Sequence, residues 1–104
     1  MTASVRVASV AEIPVGSALE VVAFDRVVAI YHTEQGFFAL DGVCPHAGGP
    51  LAQGQVLDGE VACPWHGWRY ELATGRNCVN PAIQARSFAV RVEGDDVLLD
   101  PPAG

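Results

Sequence analysis

Residues 18–41, ALEVVAFDRVVAIYHTEQGFFALD, hold three runs rich in Val, Ile, Phe and Tyr, broken at Asp25-Arg26 and at Glu34-Gln35-Gly36. Apolar runs of this length, cut by turn residues, read as β-strands at 18–24, 27–33 and 37–41. Working outward, similar runs occur at 4–9, 68–72, 88–92 and 97–100, with turn chemistry at 57–59, 73–75 and 94–96. The pattern predicts an all-β fold, an antiparallel sandwich or barrel. The one helix signal, Ser9-Val10-Ala11-Glu12, matches a capping box, but Pro14 limits it to a single turn.

The chain has 104 residues, half of them hydrophobic, and shows no repeat or linker, so one domain spanning 1–104 is expected. Its net charge of −6 argues against nucleic-acid partners and against anionic membrane surfaces. Three cysteines do not suit a disulfide framework. Neither a signal peptide nor a bilayer-spanning run is visible, so the sequence reads as soluble and cytoplasmic.

The strand pattern breaks at two loops of like chemistry, Gly42-Val43-Cys44-Pro45-His46-Ala47-Gly48-Gly49-Pro50 and Cys63-Pro64-Trp65-His66-Gly67. Cys44 and His46 are one residue apart, Cys63 and His66 two, and sixteen residues separate the pairs. Thiolates and imidazoles so spaced are metal ligands. Zinc would accept two Cys and two His, usually with each pair made of like residues. Here each loop supplies one sulfur and one nitrogen. That order suits a two-iron centre with both cysteines on one iron and both histidines on the other. Gly48, Gly49 and Gly67 are expected to let backbone N–H groups approach inorganic sulfur.

Cys44-Pro45-His46 with Cys63-Pro64-Trp65-His66-Gly67 resembles the paired signature of Rieske proteins, and the likeness extends from about Ser4 to Asp100, since Trp68-Arg69-Tyr70, Thr74-Gly75 and Pro81 also sit where that family places similar residues. The resemblance implies a Rieske-like base of antiparallel sheets carrying a small inserted cluster-binding subdomain, about residues 43–81. It implies one [2Fe-2S] cluster, with Cys44 and Cys63 on the inner iron and His46 and His66 on the outer one. Gly67, Trp68 and Tyr70 would form the cluster environment, and Pro81 a third, covering loop. Two ferric ions, two sulfides and two thiolates sum to zero charge, so His ligation eases reduction relative to four thiolates.

The high-potential branch of this family joins its ligand loops by a disulfide, but the corresponding positions here are Gly49 and Trp65. Trp68 replaces a serine of that branch, whereas its tyrosine is kept as Tyr70, whose hydroxyl could reach a sulfur. The chain therefore resembles a lower-potential ferredoxin of ring-hydroxylating dioxygenase systems. Such a protein is an electron carrier rather than an enzyme, placed between an NAD(P)H-dependent flavoprotein reductase and a terminal Rieske non-haem iron oxygenase. The oxygenase itself needs a further iron on two histidines and a carboxylate. With two of the three histidines committed, only His32 remains, and it reads as a rim residue. The alternatives are a small subunit of an assimilatory nitrite reductase and a structural zinc module. Pro45, Pro64 and Trp65 are the expected docking residues, and Cys78 is expected to be a small, buried or partly buried thiol.

Overall fold

The computed structural model describes residues 4–45, 48–65, 67–80 and 82–101. Among the described residues ten strands follow in chain order: β1 Val5–Ser9, β2 Ser17–Ala23, β3 Arg26–Thr33, β4 Gly36–Asp41, β5 Gln55–Leu57, β6 Glu60–Ala62, β7 Arg69–Glu71, β8 Ser87–Phe88, β9 Val90–Glu93 and β10 Asp96–Leu99. They form three antiparallel sheets, ordered β1-β10-β9, β2-β3-β4-β8 and β5-β6-β7. The all-β expectation holds.

The central sheet is buried on both sides, which is why β3 reads as a nearly continuous apolar run. Successive side chains point to opposite faces. Val28 and Ile30 of β3, with Ala39 of β4, pack toward β1 and β10 in a cluster that includes Ala8, Ile13, Val97 and Leu99. Ala29, Tyr31 and Leu40 face the other way, into a second cluster with Cys44, Leu51, Val61, Cys63, Tyr70 and Leu72. Burying an aliphatic side chain of this size contributes about 1.5–3 kcal/mol, so both faces of β3 hold the layers together.

Tight hairpins set the register. Ala23 pairs with Arg26, leaving Phe24 and Asp25 as a two-residue loop with φ of 54° and 59°. Asp58-Gly59 joins β5 to β6 in the same way, with φ of 54° and 77°. Positive φ at both loop positions is the primed turn whose twist matches the flanking strands. The first turn therefore sits one residue earlier than Asp25-Arg26, and Phe24 leaves the strand. The single turn at Val10–Glu12 forms as expected, with the Glu12 carboxylate accepting the Ser9 N–H at 2.8 Å.

The run at 88–92 departs from expectation. It divides at Ala89: β8 pairs with β4, and β9 with β10. Strands β5 and β6 carry no strand signal in the sequence. Each is three residues long, too short to show a period of two.

Between the paired strands β4 and β8, the chain leaves the central sheet, builds β5-β6-β7 and returns. The two ends of this excursion are fastened together by Asp41 N–H to Arg86 O at 2.8 Å. Among the described residues no helix is long and apolar enough to cross a membrane.

Candidate metal centre

The first loop leaves β4 through Gly42 and is closed at its base by a bridge between Val43 and Pro50. Inside it, Cys44 N–H donates to Gly49 O and Gly48 N–H to Cys44 O, each at 2.8 Å. The second loop leaves β6 at Cys63. There Cys63 N–H donates to Trp68 O at 2.7 Å, and Gly67 N–H to Cys63 O at 2.8 Å. The offsets are identical: cysteine amide to the fifth residue on, fourth residue's amide back to the cysteine. Gly48 and Gly67 adopt φ of 76° and 73°, a conformation costly for other residues. Cys-Pro-x-x-Gly is thus one structural unit used twice.

The amides of Gly48 and Gly67 are engaged by cysteine carbonyls, so these two amides close their own loops.

Cys44 and Cys63 are 2% and 1% exposed, belong to the same core cluster and form no disulfide. The loops face one another closely. A Cβ placed on Gly49 would lie 2.8 Å from Cys63 Sγ and 3.0 Å from Cγ of Trp65. Residues 49 and 65 are therefore neighbours across the loops, and the Trp65 ring lies against the glycine.

Tyr70, on β7 and fully buried, has its hydroxyl 3.2 Å from Cys44 Sγ. Burial, then the bond to Cys44, pushes its pKa up to about 12. The phenol thus keeps its proton at neutral pH and can donate to a deprotonated sulfur. Tyr31 lies under the same cluster, donates to Leu51 O at 2.7 Å, and is also held protonated, chiefly by burial. Trp68 is partly buried against these residues. Pro45, Pro64 and Gly67 are exposed, and Trp65 is 59% exposed.

His46, His66 and Pro81 lie outside the described residues. His32 sits at the rim as expected, its Nδ1 2.6 Å from Ile13 O and its ring stacked on Phe37 at 3.9 Å. Cys78 differs from expectation: it is exposed. Its neighbour Asn77 bridges to Tyr70 and points inward, so Cys78 turns outward beside Glu60 and Arg69. Packing around the sulfur, then the Glu60 carboxylate, raises the thiol's pKa.

Asn77 itself escaped the sequence reading. It is a buried polar side chain, 2% exposed, whose Oδ1 accepts the N–H groups of Val79 and Asn80 at 2.9 and 2.8 Å. The signal for such an Asx-turn was present in Asn77-Cys78-Val79-Asn80 ahead of Pro81.

The donor chemistry fits an iron–sulfur group. Two soft sulfur donors are buried together in matched loops, and a protonated phenol lies beside one of them to offset negative charge.

Comparison with known proteins agrees. The biphenyl dioxygenase ferredoxin subunit of Pseudomonas sp. (strain KKS102) is 36% identical over 94 residues, covering 88% of this chain and 86% of that protein. Among solved structures, the ferredoxin of carbazole 1,9a-dioxygenase from Nocardioides aromaticivorans IC177 superposes with a TM-score of 0.87 at 25% identity, covering 94% of this chain and 97% of that one. A putative NADH-dependent nitrite reductase small subunit from Mycobacterium tuberculosis superposes with a TM-score of 0.91 at 19% identity, covering 100% and 99%, a likeness of fold alone. The model of the Rieske [2Fe-2S] domain matches residues 3–94, and with the matched cysteine loops it shows that this chain belongs to the Rieske [2Fe-2S] domain family.

Proposed function

We propose that the protein is a cytoplasmic one-electron carrier that takes electrons from an NAD(P)H-dependent flavoprotein reductase and delivers them to a terminal non-haem iron oxygenase. The whole of 1–104 acts as one domain in this reading, with residues 43–81 as the cluster-binding part. The carrying observation is the pair of matched Cys-Pro-x-x-Gly loops that bury two thiols side by side under Tyr70. The near full-length likeness to a dioxygenase ferredoxin subunit supports the choice of partners.

Cys44 and Cys63 hold one iron and His46 and His66 the other. When bound, the cluster supplies a reversible one-electron couple. The protein's own contribution is rigidity, dryness and access. Hydrogen bonds inside each loop fix both cysteines. Leu51, Val61 and Tyr70, all fully buried, keep water from the thiolate side. Tyr70 donates to the Cys44 sulfur and favours the reduced, more negative state. On the outer side Pro45, Pro64 and Trp65 present an exposed tip without charged side chains, suited to brief contact.

The test is reconstitution. Purified protein should contain two irons and two sulfides per chain, as [2Fe-2S] binding requires, and should couple a flavoprotein reductase to product formation by a ring-hydroxylating oxygenase. Ala at Cys44, His46, Cys63 or His66 should abolish cluster binding. Zinc in place of iron, or electron delivery to a nitrite reductase alone, would overturn the reading.

A further inference from the structure

Asn77 is buried in a core that otherwise takes in apolar and tyrosine side chains among the described residues. Its backbone is fixed on both sides, by the bridge to Tyr70 and by donation of its N–H to Ile83 O at 2.9 Å. The side-chain carbonyl is spent on the amides of Val79 and Asn80. Since Oδ1 must face those two donors, the orientation of the amide is settled, and Nδ2 points away from them. Among the described residues that Nδ2 has no hydrogen-bond partner within bonding geometry. A buried donor left so costs about 1–3 kcal/mol.

Tyr70 stands beside it: the two residues are bridged directly across the strands, which turns both buried side chains to one face of the pair, and the Tyr70 hydroxyl reaches Cys44 Sγ at 3.2 Å. A phenol has one proton and two lone pairs. Once Cys44 is a thiolate ligand its sulfur can only accept, so the Tyr70 proton goes to Cys44 and a lone pair faces Asn77.

We propose that Asn77 is a positioning residue for the cluster: in the cluster-loaded protein its unpartnered side-chain amide closes on Tyr70 Oη and donates to it, fixes the phenol proton on the Cys44 sulfur, strengthens that bond, and so raises the reduction potential. The proposal rests on Cys44 being a cluster ligand. Serial hydrogen bonds strengthen one another by roughly 10–30% per bond. The same side chain ties the chain at Val79 and Asn80, so a single substitution could act through either job, and the test must separate them.

The experiment measures potentials, by voltammetry at one fixed pH, of the cluster-loaded wild type, Tyr70→Phe, Asn77→Ser and the double variant. Ser can still accept from the amide two residues on but cannot reach Tyr70. Expected are a lower potential for Tyr70→Phe and a further, smaller lowering for Asn77→Ser, on the order of 10–30% of the first. In the Tyr70→Phe background Asn77→Ser should add nothing. No shift on Asn77→Ser, or the same shift in both backgrounds, overturns the relay while leaving the ligand assignment intact. No shift on Tyr70→Phe overturns the Tyr70–Cys44 bond and the relay with it. If the Ser variant does not retain its cluster, Asn77→Asp carries the comparison. Its carboxylate keeps both amide bonds but would pull the phenol proton from sulfur, so its shift must be larger with Tyr70 than with Phe.

Discussion

Gly49→Ala tests whether the two ligand loops close on one another as tightly as the structure has them. The added methyl would lie 2.8 Å from Cys63 Sγ and 3.0 and 3.2 Å from Cγ and Cδ2 of Trp65. Ordinary carbon contacts are about 3.5–4.0 Å, so the overlap with sulfur is roughly 1 Å. Backbone strain adds nothing, because Gly49 is absent from the positive-φ positions. In a thiol without metal, χ1 rotation could relieve the clash. A sulfur bonded to iron cannot rotate, and the Trp65 ring blocks the other side. The penalty therefore falls on the cluster-loaded form, at the 1–3 kcal/mol typical of overpacking. At about 1.4 kcal/mol per factor of ten, cluster retention falls roughly 5- to 150-fold. The assay is loss of visible absorbance under an iron chelator. Gly48→Ala is the control: among the described residues nothing lies within 4 Å of its Cβ, but its φ is 76°. It should lower the thermal midpoint through backbone strain, about 1–2 kcal/mol, with little change in chelator resistance relative to that loss. Equal chelator resistance for Gly49→Ala and wild type would refute the close apposition of Gly49 and Cys63.

Tyr70→Phe should lower the reduction potential by about 40–90 mV, taking a 1–2 kcal/mol preference of the hydrogen bond for the reduced sulfur and 59 mV per factor of ten for one electron; voltammetry reads it directly. Cys78, with its pKa raised, stays protonated to higher pH than an ordinary cysteine. Alkylation at pH 8 should therefore be slow for an exposed thiol and should speed up in Glu60→Gln, as mass spectrometry can follow. Trp65→Ala should slow electron transfer to reductase and oxygenase without changing the absorption spectrum. Added salt should slow association as well, since screening shortens the reach of a −6 protein to about 8 Å at physiological ionic strength. Stopped-flow rates indifferent to both would place docking elsewhere.

The parts of this molecule that were legible in its sequence are those fixed by neighbours along the chain. The turn at Asp58-Gly59 follows from turn chemistry, the first hairpin is legible to within one residue, and β3 follows from an apolar run with no other use. The break at Ala89 was not legible, because β8 and β9 continue one apolar stretch and differ only in which partner strand each meets. Strands β5 and β6 gave no periodic signal, since three residues show one and a half repeats; they exist because Gln55 through Ala62 pair across a turn and Val61 finds a place in the core.

The site divides in the same way. Cysteines at Cys-Pro-x-x-Gly spacing carry their meaning locally, since proline and a left-handed glycine close the loop whatever lies around it. What distinguishes one cysteine from the other is not local. The two loops repeat the same internal hydrogen bonds, yet Cys44 meets a phenol from β7 while Cys63 meets Gly49 from across the gap. This inequality depends on the register of β6 with β7, where Val61 pairs with Tyr70, and on the bridge from Tyr70 to Asn77. A one-residue slip of β7 would turn Tyr70 outward and bring Arg69 or Glu71 under the cysteines. The short sheet β5-β6-β7, of which only β7 and the turn at 57–59 were legible in the sequence, is thus what decides which sulfur is hydrogen-bonded. It is therefore also where the electronic asymmetry of the centre is set.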